Sequence, residues 1–449
     1  MYSLYASPCA RPLFSFGALL WLHSIKIGMS TVIFGARRKT GRHIMRAYER
    51  LIRYAKIHTA SSENSDAVPS TGRQFDLARV LAEELREMGA ADVFVDGHCY
   101  VYARIPATPG YEDRICVGFL AHIDTVPDFP GENVRPQVIA DYDGGDVPLG
   151  NGERILSPRD FPDLGELKGK TLIVTDGTTV LGADDKAGVA EIMTAAERII
   201  RGETVHGPIA IAFCPDEEIG HGARLLDLER FGAELAYTVD GGAVGEIEYE
   251  NFNAAAAEVR VNGFNVHPGS SKNVMINASL VAMEFNRMLP DGDTPRDTEG
   301  YEGFFHLTEM EGSVERARLS YIIRDHDAGV FEARKQTMRH AADLLNARYG
   351  KGTVELTLRE QYRNMAEKIR SRFEVVEKAE AAFRRLGIEP RAVPIRGGTD
   401  GAQLSFRGIP CPNLPTGSFG HHGPYEHAAA EEMDICAELL LQIAAGFAG

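Results

Sequence analysis

Four short segments of this 449-residue chain set histidine or acidic residues where chemistry can use them. AHIDT supplies His122 and Asp124, GADDKAG supplies Asp184 and Asp185, PDEEIG supplies Glu217 and Glu218, and TVDGG supplies Asp240. A fifth segment is Gly420-His421-His422-Gly423. Taken singly each has an ordinary reading: His-x-Asp caps a turn, paired glutamates sit in a solvated loop, and Asp before two glycines is a turn residue. Brought together, the carboxylates repel one another, and proteins accommodate that by raising pKa values or by supplying cations. Histidine with carboxylates and no cysteine is a hard-to-borderline donor set that suits zinc, cobalt or manganese. Two such ions roughly 3.5–4 Å apart form a known hydrolytic arrangement. Asp184 is the candidate to bridge them.

These segments need elements that bring them to one place. Each of the four follows an apolar run of strand character: ICVGFLA (115–121), TLIVT (171–175), IAIAFC (209–214) and AYTV (236–239). Between the second and third lies DDKAGVAEIMTAAERII, whose Val189, Ile192, Met193, Ala196, Ile199 and Ile200 repeat at helical spacing. Strands alternating with helices of this length predict an α/β fold with a mainly parallel sheet flanked by helices on both faces. In such sheets ligands gather at the carboxyl ends of the strands, so the four segments converge. The pattern changes after Asn253. AEVRVN, NASLVAMEFNRML, FFHLTEME, ERARLSYII, VFEARKQTMRHAADLLNA and TVELTLRE spell β-α-β-β-α-β, the order of a ferredoxin-like α+β unit. Residues 254–365 are therefore expected to form an inserted lid domain, and residues 45–253 with 366–449 a discontinuous catalytic domain. In the latter part AEKIRSRFEVVEKAEAAFRRLG reads as a helix, RAVPI as a strand and 429–447 as a last helix.

Composition narrows the function classes. Asp and Glu number 64 against 48 Lys and Arg, which argues against nucleic acid and against an anionic membrane surface as partners, because both reward a basic face. Six cysteines are scattered without a C-x-x-C pair, so reduced thiols in a cytoplasmic enzyme are the simplest reading. Residues 1–44 do not fit this picture. An apolar stretch at 12–25 is too short to span a bilayer and lacks a clean cleavage site, and Lys26, Arg37, Arg38, Lys39 and Arg42 follow it. We read 1–44 as an upstream extension, with MRAYERLIRYAKI, from Met45, as the first helix of the enzyme; no stable membrane association is expected.

The runs GFLAHIDTVPD, VLGADDKAGVAEIM, FCPDEEIGHGA, AYTVDGGAVGEIEYENFNAA, NVHPGSSKNVMINA, TEGYEGFFHL, YIIRDHD and IRGGTDGAQLSFRGIPCPNL resemble the tripeptide aminopeptidases of the zinc exopeptidase family, which also contains carboxypeptidase G and the diaminopimelate desuccinylase. The likeness runs from about residue 45 onward. It implies that His122 and Asp240 hold one zinc, Glu218 and His422 the other, and that Asp184 bridges them across a cis peptide bond to Asp185. It further implies that Asp124 supports the ring of His122 and that Glu217 is the general base. This chain reads HHGPYE where the family's pattern has one His before the Gly, so His421 competes with His422; the spacing to Glu426 favours His422. RDHD carries a His where an aromatic residue is usual, leaving Arg324 matched.

On this likeness Glu217 takes a proton from the attacking water and passes it to the leaving amine. His267 on the lid is the candidate to donate to the developing oxyanion, Arg324 to grip a carbonyl or carboxylate of the substrate, and Arg396 a third contact. Each has an alternative: a His before Pro stabilises a turn, the Arg serves a structural ion pair, and RGGTDGA makes a tight loop. Small peptides are the expected substrates. The rival activities are hydrolysis of a dipeptide or an N-acyl amino acid, and, in a different class, metal or peptide binding without catalysis. The second would show itself by a missing ligand or base, and none is missing.

Overall fold

Along the strand Val117–His122 every residue is buried, and successive side chains enter opposite cores. Val117, Phe119 and Ala121 join the larger apolar cluster, whereas Leu120 joins a second one with Tyr102, Ala210, Ala236, Phe231 and Leu404. A strand that is apolar on both faces belongs in the middle of a sheet covered on both sides, and the computed structural model, which describes residues 44–449, places it there. The apolar stretch 12–25, the basic residues after it and nearly all of the 1–44 extension lie outside the described residues. No helix among the described residues is long and apolar enough to cross a membrane.

The central sheet has eight strands in the order Ala91–Val95, Val101–Ile105, Ile209–Cys214, Val117–His122, Leu235–Gly241, Asn413–Pro415, Glu246–Asn251 and Arg391–Ile395. Its middle is parallel, from Ile209–Cys214 through Val117–His122 and Leu235–Gly241 to Asn413–Pro415. The expectation of a mainly parallel sheet holds there and gives way at the flanks, so the whole is mixed. Ala91–Val95 and Val101–Ile105 are joined by a short turn, and a short turn allows only antiparallel pairing.

The TLIVT run corrects the strand assignment. Leu172–Val174 is not in the central sheet, since both edges of Ile209–Cys214 are already paired. It pairs antiparallel with Gln137–Ile139 and with His427–Ala429, and Ser418–Phe419 completes that separate four-stranded sheet. The consequence is positional: the chain leaving Leu172–Val174 toward Asp184 runs beside the hairpin that carries His421 and His422. The long helix expected from residue 366 is broken into Ala366–Arg370 and Glu374–Arg385. Ser371 Oγ donates to the Lys368 carbonyl at 2.7 Å, a local bond of the kind that competes with the helix ladder.

Residues 253–362 carry the expected β-α-β-β-α-β order. Phe304–Gly312, Arg316–Asp325, Asn253–Asn262 and Val354–Tyr362 form an antiparallel sheet, and the helices Ala278–Arg287 and Ala328–Tyr349 cover it. Asn277 and Asp327 cap those helices by accepting from Leu280 N–H and Val330 N–H. Ala255, Ala257, Val259 and Val261 face the helices, which is the alternation of a sheet with one covered face.

The helix Ala183–Ile200 lies on the central sheet, its backbone leaving helical geometry at Asp184 and Asp185, between which the peptide is cis. Its approach depends on Gly188, where a Cβ would stand 1.7 Å from the Val239 carbonyl oxygen and 2.5 Å from Asp185 Oδ1. Gly188→Ala is therefore expected to destabilise the fold by about 3 kcal/mol, at the upper end of ordinary overpacking costs. Denaturant unfolding checks this, and a midpoint equal to wild type would mean that the helix does not sit this close.

Candidate active site

His122 ends its strand and is 2% exposed. Its Nδ1 faces Asp124, 3.1 Å from the backbone carbonyl and 3.3 Å from Oδ1. Its Nε2 points the other way, 3.0 Å from Asp184 Oδ1 and 3.7 Å from Asp240 Oδ1. Asp240 is the penultimate residue of the neighbouring strand Leu235–Gly241. Glu217 and Glu218 begin a 3-10 turn just past Ile209–Cys214. Asp124, fully buried, accepts both their amides, from Glu217 N–H at 3.0 Å and Glu218 N–H at 3.3 Å. One carboxylate thus supports the His122 ring and the paired glutamates.

The C-terminal hairpin closes the cluster. His422 Nε2 lies 3.2 Å from Asp184 Oδ2 and 3.0 Å from Glu218 Oε2. His421 stands further off, its Nδ1 3.7 Å from Asp184 Oδ2 and its Nε2 bonded to Ser418 Oγ at 2.9 Å. Of the two histidines, His422 stands nearer to Asp184 and also meets Glu218.

Electrostatics mark the same residues. Burial drives the carboxyls of Glu217, Glu218 and Asp240 above their ordinary values, and the neighbouring carboxylates add to it. Burial also opposes ionisation of Asp184, but the bonds from His122 and His422 outweigh it and pull its pKa well below the usual carboxylate range. His422, bonded to Asp184 and Glu218, is pushed up to about 11. A cation among these groups inverts that balance. The residues fit one. His122, Asp184 and Glu218 offer ligand atoms within 4.8 Å of one another, as do His122, Asp185 and Asp240. Glu218 Oε1 is buried with no hydrogen-bond partner, an expensive state for a carboxylate oxygen unless a cation meets it.

Sequence reading passed over several supports. Asp185 accepts from His122 N–H at 3.1 Å and Gly188 N–H at 3.2 Å, so both its oxygens serve the backbone. Asp400, in RGGTDGA, is buried, accepts from Ala223 N–H at 2.6 Å and is pushed up to about 6 by burial. A Cβ on Gly222 would meet it at 1.8 Å, so this carboxylate and that glycine together hold the turn after Glu218. Asp216 binds Ser70 N–H at 2.6 Å and Gln74 Nε2 at 2.6 Å, tying the preceding loop to the same turn. The acidic residues themselves were the available signal; their backbone partners had none.

The three expected substrate contacts are placed differently. His267 is exposed on the ferredoxin-like unit, where its Nδ1 accepts from Gly269 N–H at 3.2 Å, the turn-stabilising arrangement. Arg324 is buried, its Nη1 donating to Ile323 O at 3.0 Å and Gln361 Oε1 at 3.1 Å, with its guanidinium 5.2 Å from the Tyr362 ring centre. Arg396 donates to the carbonyls of Gly300 and Glu302, each at 2.9 Å, and lies over the rings of Phe252 and Phe304. It fastens the 298–302 loop and is not drawn into the acidic cluster.

The family profile described as Peptidase family M20/M25/M40 matches residues 180–446. The chain is 50% identical over 398 residues to the Peptidase T of Alkaliphilus oremlandii, covering 88% of this chain and 97% of that one. It is 52% identical over 397 residues to the Peptidase T of Geobacillus kaustophilus, covering 88% and 96%. Among solved structures it resembles a tripeptidase from Staphylococcus aureus, with TM-score 0.72, 22% identity and coverage of 90% and 98%. It also resembles the aminopeptidase PepT from Bacillus cereus, with TM-score 0.71, 24% identity and the same coverage. At these identities the structural likeness speaks to the fold, while the sequence likeness to the two relatives covers 88% of the chain.

Proposed function

The chain belongs to peptidase family M20/M25/M40, and from that premise we propose that it is a two-metal aminopeptidase that releases the N-terminal residue of tripeptides. The observation that carries this reading is the convergence of His122, Glu218 and His422 on Asp184, with Asp240 beside His122 and Glu217 held next to them by Asp124. In this assignment His122 and Asp240 would hold one ion and Glu218 and His422 the other, with Asp184 contributing to both; the ions, zinc or else cobalt or manganese, would supply the acidity that makes water a nucleophile near neutral pH.

The chain's own residues do the rest. Glu217 accepts the proton of the attacking water, and burial raises its basicity toward the range where general bases work best. It then delivers that proton to the leaving amine. Asp124 keeps the imidazole of His122 and the amide of Glu217 in register, so that ligand and base share one support. The acidic surroundings attract the substrate's free α-ammonium, which is what distinguishes exopeptidase action on an unblocked N-terminus. Residues 254–365 act as the lid. His267 stands outside the cluster in this arrangement, so any donation to the oxyanion requires the lid to close over the substrate. Free, buried cysteines agree with a reducing compartment, and we place the enzyme in the cytoplasm.

The test is metal analysis of the purified protein coupled to hydrolysis of a panel of di-, tri- and tetrapeptides and their N-blocked forms. Preferential cleavage of unblocked tripeptides is expected. Activity confined to dipeptides or to N-acyl substrates would move the assignment to another amide hydrolase of the family.

Arg324 is the proposed partner of the tripeptide's C-terminal carboxylate. Arg324→Ala is expected to weaken kcat/KM on free tripeptides by ~1.5–3 kcal/mol, the usual worth of a charge-assisted hydrogen bond, and by less on tripeptide amides. Lys is not an equivalent replacement, since it lacks the planar fork. Equal losses on acid and amide would make Arg324 a structural residue, in keeping with its bonds to Ile323 and Gln361.

A further inference from the structure

His422 and Asp184 come from segments 238 residues apart, and their ligand atoms must be set at a fixed spacing. Glu426 lies four residues beyond His422, on the connection between the strands Ser418–Phe419 and His427–Ala429. Its carboxylate is 1% exposed and uses both oxygens on one turn: Oε2 accepts from Gly182 N–H at 2.7 Å and Oε1 from Asp184 N–H at 2.8 Å. Gly182 has φ of 72°, a left-handed geometry that glycine adopts without strain, so the two amides can point at one carboxylate. Lys186 stands beside the gripped turn, also 1% exposed, with Nζ donating to the Ile57 carbonyl at 2.8 Å. A Cβ on Gly182 would lie 3.5 Å from that Nζ, which puts the Lys186 side chain next to the residue that Glu426 binds.

We infer that Glu426 is a positioning residue that clamps the His422 hairpin onto the Asp184 turn, so that the His422–Glu218–Asp184 ligand set is in place before an ion arrives. The inference rests on the metal assignment made above. A carboxylate accepts from both amides, whereas a glutamine in its place turns an NH2 donor toward one of them. The clamp acts through the placement of His422, so its effect vanishes once His422 no longer ligates.

The experiment titrates cobalt(II) into chelator-stripped full-length protein and follows visible absorption, for wild type, Glu426→Gln, His422→Ala and the double variant. Wild type is expected to take up two equivalents. Glu426→Gln is expected to weaken the more labile site by ~10–100-fold, the range for loss of an outer support of a ligand. Added to His422→Ala, it is expected to cost less than about 2-fold more, because coupled residues are not additive. Equal losses in both backgrounds, or unchanged affinity in Glu426→Gln, overturn the clamp while leaving the metal assignment standing. Failure of wild type to bind cobalt overturns the assignment and the clamp with it. Should Glu426→Gln not fold, Glu426→Asp, one methylene shorter, keeps the charge and reaches one amide; the same loss in the wild-type background and its absence beside His422→Ala are expected, and additivity again refutes the clamp.

Discussion

Glu217→Gln is expected to lower kcat by ~10²–10⁴-fold while both metals stay bound, because the amide keeps the shape of the side chain and cannot accept a proton. The geometry separates Glu217 from its neighbour. Glu218 Oε2 meets His422 at 3.0 Å, and its Oε1 is buried without a partner, as befits a ligand. Glu217 is anchored through its amide to Asp124 at 3.0 Å, and its carboxyl is raised by burial and by the charges of Asp240, Asp400 and Glu218. A raised carboxyl is a stronger base when it does ionise, and cations bound at the cluster would favour its ionised form. Turnover is to be measured beside metal content by elemental analysis. Loss of metal in Glu217→Gln with an unchanged rate per bound pair would exchange the roles of the two glutamates.

Asp184→Ala is expected to abolish high-affinity binding of both ions, and Glu218→Gln to lose only one. Asp184 Oδ1 faces His122 and Oδ2 faces His422, so a single carboxylate serves both halves of the cluster. Removing it should cost more than the ~10–100-fold that loss of a supporting group costs. Thermal unfolding gives an independent reading, because an ion that binds only the folded chain stabilises it by mass action. Chelator should therefore lower the unfolding midpoint of wild type clearly, that of Glu218→Gln partly, and that of Asp184→Ala hardly at all. A midpoint in Asp184→Ala that responds to chelator as wild type does would remove Asp184 from the bridging position.

Sequence by itself determined the local part of this protein. Apolar runs with acidic residues just beyond them located His122, Glu217, Glu218 and Asp240 at strand ends, because strand character and turn chemistry are both set by neighbours in the chain. The β-α-β-β-α-β unit was legible for the same reason: its periods switch between 2 and 3.6 within each element. Tertiary structure alone decided what depends on distant pairing. TLIVT has the composition of a central strand, yet Leu172–Val174 pairs with His427–Ala429, more than two hundred residues later, because the places beside Ile209–Cys214 were taken. Arg396 read equally as a substrate contact or as part of a tight loop, and its bonds to the carbonyls of Gly300 and Glu302 depend on distant pairing. That His422 lies nearer than His421 to Asp184 is likewise a matter of the fold, where Ser418 Oγ bonds His421 Nε2. Asp185, Asp400 and Glu426 act on backbone amides, and every residue except proline offers an amide, so no residue type at any spacing announces such a partner.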